Sequence, residues 1–474
     1  MRDVDDEYQE ITYKRKKKAG KREIDLSIFP VERIIHELPQ EKQLCPNCSN
    51  PLDVCGHDVL RRELIRIPAQ YKAAEHVQTV CVCNDIECQD SKDKTTMVKA
   101  EAPAPLIPGS GVASASLAAH ITHQKYTLAL PLYRQEQEFK RGNIPLSRQT
   151  MANWIIYVAF TYLILIYEVM KQSLIERTVL HADETSVQVL HETGKPAASK
   201  SFMWIYRTSF DTDRHIVIFD YKPNRKHENP RDFLDGFEGF LHSDGYQAYG
   251  NLTDSIIVVG CWAHVRRKFT GILKSLPDYN KPHSPAKVGC GYCGKLFELE
   301  REFAELPADD NFKARYEARL EKTKPVMDKF FAWASSLTGS FRALPKSPLG
   351  KALAYAHNQR QDLLNILLDG RLEISSNRAE RAIKPFAVGR KNWLFSNTEN
   401  GAKASAIFYS IIETAKESGL SPYKYLEFIF ETAPNLDLLN NPDLVESLLP
   451  WNVPLKCRNT SQTYIAPASV WDEA

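Results

Sequence analysis

Two aspartates stand at the ends of apolar runs in matching settings, His181-Ala-Asp183-Glu-Thr and His242-Ser-Asp244-Gly-Tyr, and a third acidic residue, Glu380, lies far downstream among cations. A strand that ends in Asp ahead of a polar loop puts a carboxylate at the rim of a rigid sheet. Hard divalent cations are held in such places by one or two carboxylates together with phosphate oxygens and water. Two such ions can activate an attacking oxygen and stabilise a leaving one during in-line phosphoryl displacement. A single strand-end aspartate is commonly a turn former. Two of them, with a third acidic residue in a basic setting, point to metal-dependent phosphoryl transfer.

The segment around Glu380 carries the cations. Ser376 or Asn377 can cap a helix whose first turns hold Arg378, Glu380, Arg381 and Lys384, with Lys384 four residues on and so on the face of Glu380. A salt-bridged, solvated helix has the same composition. Residues 388–397, next along the chain, read as a basic, glycine-hinged loop in which Arg390, Lys391 and Trp393 suit phosphate contact and base stacking. Upstream, Ser147 can cap a helix whose exposed face offers Arg148, Gln149 and Asn153 while Trp154 faces a core, as in the second helix of a helix-turn-helix. A plain capped helix of a bundle fits that segment equally.

Six of the ten cysteines fall between Cys45 and Cys88, which favours a metal site over a disulfide framework. Cys45-Pro-Asn-Cys48 has knuckle spacing and needs a second thiolate pair to close a tetrahedral zinc site. Cys81 and Cys83 are one choice, with Cys88 in place of Cys83 another; Cys55 and His57 compete. Cys290 and Cys293 share the spacing but lead into an amphipathic helix, so they are read as unmetallated.

The elements that must position these groups emerge from periodicity. Five short apolar runs, 179–183, 202–206, 215–219, 239–244 and 255–260, suit buried strands, whereas 112–175, 262–275 and 293–370 are helical in pattern. Three strands in near-hairpin succession, two separate strands and then helices predict a mixed α/β sheet with helices packed on it. At 474 residues, with 43% hydrophobic and 25% charged residues, the chain suits a globular protein of several domains. A net charge of +2 does not announce a polyanion partner, but Lys14, Arg15, Lys16, Lys17, Lys18, Lys21 and Arg22 form a local basic cluster. The charged start lacks the apolar region of a signal peptide, and the longest apolar run, 154–167, reads as a buried helix too short to span a membrane.

At these residues the sequence resembles the transposases of the insertion sequence 66 family, within the DDE superfamily. The resemblance is carried by His181-Ala-Asp-Glu-Thr185, Leu241-His-Ser-Asp-Gly-Tyr-Gln-Ala-Tyr249, Cys261-Trp-Ala-His264-Val-Arg-Arg-Lys-Phe269, and Asn377-Arg-Ala-Glu-Arg-Ala-Ile-Lys-Pro385 running into Gly389-Arg-Lys-Asn-Trp-Leu-Phe395. It extends to Lys125-Tyr-Thr-Leu-Ala-Leu-Pro-Leu-Tyr-Arg-Gln-Glu136, to Glu413-Thr-Ala-Lys416 and to Leu448-Leu-Pro-Trp451.

The resemblance implies a multidomain α+β protein with a ribonuclease H-like α/β core. Asp183 would lie on its first strand, Asp244 on its fourth and Glu380 on the closing helix, these three holding two Mg²⁺ or Mn²⁺ ions per active site. The implied division is a basic arm at 1–44, a zinc-finger-like domain at 45–100 with structural Zn²⁺, and a helical, helix-turn-helix-like DNA-binding domain at 112–175. Core segments at 176–270 and 371–430 come next, separated by a helical insertion at 271–370, with a tail at 431–474. The implied reaction is nicking of transposon-end DNA followed by 3′-OH strand transfer into target DNA; a decayed DNA-binding derivative and a two-metal nuclease or resolvase are the alternatives.

Cys261 and His264 come just after the fifth strand; His264 either contacts DNA, supports the carboxylates or is a structural histidine, with Arg266 and Arg267 near phosphate. Transposon-end and target DNA, further copies of the chain and accessory proteins of the same element are the expected partners, in a cytoplasmic, nucleoid-associated setting without membrane. Residues 1–13 offer no heptads where the family has a leucine-zipper-like opening. Either the chain starts late, or end-binding and multimerisation rely on other parts.

Overall fold

The computed structural model describes residues 97–250, 252–306, 311–338 and 343–458, together with 70–82 and scattered stretches between 31 and 63. Cys45, Cys48, Cys55, His57, Cys83, Cys88 and the basic cluster at 14–22 lie outside the described residues. Residues 78–458 form one compact unit, and the described residues of 31–77 belong to a second. Those of 31–77 are exposed chain.

The large unit opens with a two-stranded ribbon, β1 (Val80–Val82) and β2 (Met97–Lys99), on which Cys81 is exposed. Helices α1 (Ala115–Tyr126), α2 (Leu132–Arg141), α3 (Arg148–Val158) and α4 (Ile164–Ile175) come next, α3 and α4 being joined through a π-turn at Ala159–Leu163. Ser147 caps α3 by accepting the Thr150 N–H at 3.1 Å. Trp154 is buried, while Arg148, Gln149 and Asn153 are exposed, as the spacing predicts. Arg148–Ile175 is long and apolar enough to cross a membrane by length and composition, but Met151, Ile155, Val158, Leu163, Ile166, Met170 and Leu174 are buried in the main core.

All five apolar runs are strands. β3 (Val179–His191), β4 (Lys200–Thr208) and β5 (Val217–Lys222) form an antiparallel meander. The chain then passes through α5 (Glu228–Phe233) to β6 (Gly239–Ser243) and β7 (Ile256–Gly260), which run parallel to β3, giving the order β5-β4-β3-β6-β7. At the start of β6, Gly239 has φ 142°, and a Cβ there would sit 2.3 Å from the Thr178 carbonyl, so only glycine lets β6 approach β3.

A helical insertion runs through α6 (Trp262–Ser275), α7 (Pro285–Phe303), α8 (Asn311–Ala318), α9 (Lys324–Leu337), α10 (Pro348–Asn358) and α11 (Arg360–Leu364). Serines cap α7 and α10 ahead of a proline in the first turn. Trp262, Phe269, Phe330 and Phe331 form its aromatic core. α12 (Asn377–Trp393) returns to the sheet, a short β8 (Ser396–Thr398) pairs with the far end of β3, and α13 (Glu399–Glu417) and α14 (Pro422–Thr432) close the fold. The stretch read as a tail is folded as far as Cys457, with Val445, Leu448, Leu449 and Cys457 buried.

Both sheet edges are covered. On β5, Thr414 and Ser410 of α13 bond the backbone N–H groups of Val217 and Phe219 at 3.0 and 2.8 Å. On β7, Asn365 donates to the Val258 carbonyl at 2.8 Å. Unpaired edges would otherwise invite strand addition.

The insertion is tied to the approach of α12 by one fully buried side chain. Arg319 forks onto Glu300 at 2.7 Å through Nε and Nη2 and also donates to the carbonyls of Ile366, Asp369 and Leu372 at 3.3, 2.9 and 2.6 Å. Arg315 also donates to Glu300 at 2.6 Å, but without Arg319 that carboxylate loses its fork and three carbonyls lose their donor, and disrupting a buried pair costs up to ~3–5 kcal/mol. Arg319→Leu is therefore expected to lower unfolding stability by about that much in chemical denaturation; a loss under ~1 kcal/mol would mean the fork is not what anchors the insertion.

Candidate active site

β3 and β6 are adjacent parallel strands with His181 opposite His242. Asp183 and Asp244 each lie two residues beyond that pair, so register sets them side by side; Asp244 follows the end of β6, but Asp183 is not at a strand end as its setting predicts, since β3 runs on to His191. Asp244 heads a turn in which Gly245 has φ 85°; its Oδ1 accepts the Tyr246 N–H at 3.0 Å and its carbonyl the Tyr355 hydroxyl at 2.7 Å. Asp183 Oδ1 accepts the Glu184 N–H at 2.8 Å.

Glu380 arrives in the first turn of α12, and the chain just before it is stitched to the sheet. Glu373 N–H donates to His242 Nε2 at 3.2 Å, Trp262 N–H to the Ile374 carbonyl at 3.1 Å, and Ser376 N–H to Cys261 Sγ at 3.3 Å. The Glu373 carboxylate accepts Arg378 Nε at 2.9 Å and lies 2.8 Å from His181 Nε2. Those bonds fix the tautomers: His181 carries its proton on Nε2, whereas His242 accepts at Nε2 and carries its own on Nδ1. The two rings stack at 4.3 Å. Burial works against Glu373 as an anion, but His181 and Arg378 hold its carboxyl well below the usual range, while burial lowers both imidazoles.

The electrostatics join all three carboxylates. Asp183 is pushed up to about 7, first by burial, then by the neighbouring Glu184 and by Asp244 and Glu380. Glu184 itself is engaged: Arg225 donates to one oxygen, and Tyr249 to the other at 2.7 Å. Glu380 accepts Arg267 Nη2 at 3.0 Å on each oxygen and lies 3.5 Å from His264 Nε2. Burial lowers His264, but its Cys261 contact outweighs this and raises it.

Among the described residues no group of three or more His, Cys, Asp or Glu side chains is gathered closely enough to hold a metal ion as it stands. The donor set still suits a hard divalent cation: all-oxygen, crowded with like charge, and with Asp183 a buried carboxyl whose charged form lacks a cationic partner. The engagement of Glu380 is weak, since Arg267 is 57% exposed and such ion pairs contribute ~1 kcal/mol or less.

The other cations sort by position. Arg381, Lys384 and Lys391 are exposed along one stripe of α12, and Arg390 donates to Thr185 and Ser186 on β3 at 3.2 and 3.4 Å. Arg266 stacks over Phe297, turned to the insertion. Arg148, Gln149 and Asn153 sit on α3; Gln149 donates to Asn153 at 3.1 Å and Arg148 pairs with Glu136. The stretch read as a glycine-hinged loop is helix as far as Trp393. Gly389 is buried, with Tyr409 Oη only 2.7 Å from where a Cβ would stand, so this glycine serves close packing and not bending. Trp393 packs on Phe386 and under Lys125.

Sequence reasoning passed over Glu373, Arg378, Arg225 and Tyr249 as working parts. The one signal for the first pair was the repeated His two residues ahead of each aspartate.

The chain matches the family described as "Transposase IS66 family" over residues 110–404 and "IS66 C-terminal element" over 410–451. It is 32% identical over 370 residues to the uncharacterized protein y4qI of Sinorhizobium fredii, covering 75% of this chain and 65% of that protein's length. It is 29% identical over 427 residues to y4jD of the same organism, covering 87% and 78%. The solved Drosophila P element transposase strand transfer complex aligns with a TM-score of 0.34 at 10% identity, over 63% of this chain and 92% of that one, a likeness too loose to carry weight.

Because Asp183 titrates near 7 when folded and near 3.8 unfolded, the native state keeps a proton that the unfolded chain gives up between those values. This group's stabilising effect is full below the lower value and lost as pH rises through the upper one. Asp183→Asn is thus expected to flatten that fall and, in EDTA at pH 8, to stabilise the protein by on the order of 2 kcal/mol after solvent screening. Equal or lower stability in the variant would show that burial and the neighbouring carboxylates do not raise this group.

Proposed function

The chain belongs to the IS66 family of transposases, and from that premise we propose that it nicks transposon-end DNA and joins the freed 3′-OH to target DNA. The observation that carries this reading is the shared electrostatic neighbourhood of Asp183, Asp244 and Glu380 inside the family-matched region. The strand order β5-β4-β3-β6-β7, an antiparallel meander continued by two parallel strands, supports a ribonuclease H-like core.

Asp183, Asp244 and Glu380 would hold two Mg²⁺ or Mn²⁺ ions, with Glu380 released from Arg267. Such ions supply nucleophile activation and charge stabilisation at the reacting phosphate. In the first step water attacks phosphorus at the transposon end and the 3′-oxygen leaves as a hydroxyl. In the second that hydroxyl attacks a target phosphodiester and displaces the target's own 3′-oxygen. Arg267, set free, and Arg390, fixed by Thr185 and Ser186, flank the phosphates. Arg381, Lys384 and Lys391 track the backbone, and Arg148, Gln149 and Asn153 read end DNA from α3. A structural zinc site from Cys45, Cys48, Cys81 and either Cys83 or Cys88, assembly of several copies on DNA, and help from accessory proteins belong to the same proposal.

Two measurements check it. With pre-nicked ends, Mg²⁺ and plasmid target, Asp183→Ala, Asp244→Ala and Glu380→Ala should each abolish joining and leave gel-shift affinity within a few-fold; retained joining in any of them removes that residue from the site. Arg381→Ala and Lys391→Ala should each reduce the slope of log affinity against log salt by about 0.9 per lost phosphate contact. An unchanged slope would take the α12 stripe away from the DNA.

A further inference from the structure

The end of α12 is strained where it is exposed. Leu394 has φ 65° and ψ −51°, and Phe395 N–H bonds back to the Trp393 carbonyl at 2.8 Å. This is the γ-turn with positive φ, a rare conformation that a branched side chain resists. Strain at a non-glycine residue persists only where the surroundings enforce it, and it clusters at working sites. The side chain presented there is apolar and free: Leu394 is 63% exposed and Phe395 41% exposed. Trp393, just before, is committed to Phe386 and Lys125, so the tip and not the indole is available.

The surroundings specify a polyanion. Arg381, Lys384 and Lys391 lead along α12 to the tip, and Arg390, one turn before Leu394, reaches Thr185 and Ser186 beside Asp183. An apolar patch meant for a membrane interior or another protein's core would not be expected at the end of a cationic stripe on the helix that carries Glu380. Apolar side chains flanked by cations do have a use on duplex DNA: they enter between base pairs and unstack them.

We propose that Leu394, backed by Phe395, is a wedge that opens a base step of the bound DNA near the scissile phosphate. This rests on the transposase reading above. The strand pairing sets its reach. Ser396 lies opposite Val189 on β3, six residues from Asp183, or ~20 Å at strand rise, so the opened step falls within about six base pairs of the cut at ~3.4 Å per pair. Opening the duplex there would give the carboxylates a strand free to bend into the site.

The test uses the full chain, Ca²⁺ to allow binding without cleavage, and duplexes of the element's own inverted end carrying 2-aminopurine at one position at a time. Wild type is expected to brighten one or two positions several-fold inside that window. Leu394→Ala should lose the brightening while binding stays within a few-fold. Leu394→Gly is the control for a merely structural role: it relieves the positive φ and should raise the melting temperature, yet lose the brightening as fully as alanine. Binding without brightening in wild type, or brightening that survives both substitutions, overturns the wedge alone. A duplex that does not bind at all overturns the DNA reading and the wedge with it.

Discussion

Carboxylates repel one another, and a fold that brings Asp183, Glu184, Asp244 and Glu380 within electrostatic reach of each other must hold them against that repulsion. Most of the surrounding architecture can be understood as the restraint. Glu184, raised by burial, is held by hydrogen bonds from Arg225 and Tyr249. Asp183, buried first and crowded second, binds its proton more tightly. Glu380 leans on Arg267. On the proposed reading, a divalent cation would relieve this crowding at once.

The restraint is delivered through backbone. Residues 372–376 are stitched to β6 through His242, to the β7–α6 junction through Cys261 and Trp262, and to the insertion through Arg319. The Glu373–His181–Arg378 cluster fixes the first turn of α12 against the two strands that carry the aspartates. The insertion therefore does more than separate Glu380 from Asp244 in sequence. Its last helical stretch covers the β7 edge, and its buried fork holds the chain that delivers the third carboxylate.

The five strands were legible because each is a short apolar run bounded by turn residues, although β3 continues eight residues past Asp183, where polar Glu184, Thr185, Ser186 and Gln188 hide the strand. Those residues are tolerated because Arg225, Tyr249, Arg390 and the Ala197 carbonyl satisfy them, and sequence shows no such long-range partners. The three candidate carboxylates were visible from their settings. The ion pairing of Glu380 was not, since Arg267 is 113 residues away. Gly389 misled for a related reason: a glycine between cations suggests a hinge, and only the packed position of Tyr409 reveals that the missing Cβ is what matters.

The central claim is that Asp183, Asp244 and Glu380 converge on divalent ions once DNA draws Arg267 away. Anomalous diffraction from crystals of the chain with a transposon-end duplex and Mn²⁺ tests it most directly. The expected map has manganese peaks held by Asp183, Asp244 and Glu380, with Arg267 moved onto a phosphate. Manganese bound elsewhere, or Glu380 still paired to Arg267 beside a fully engaged DNA end, would contradict it.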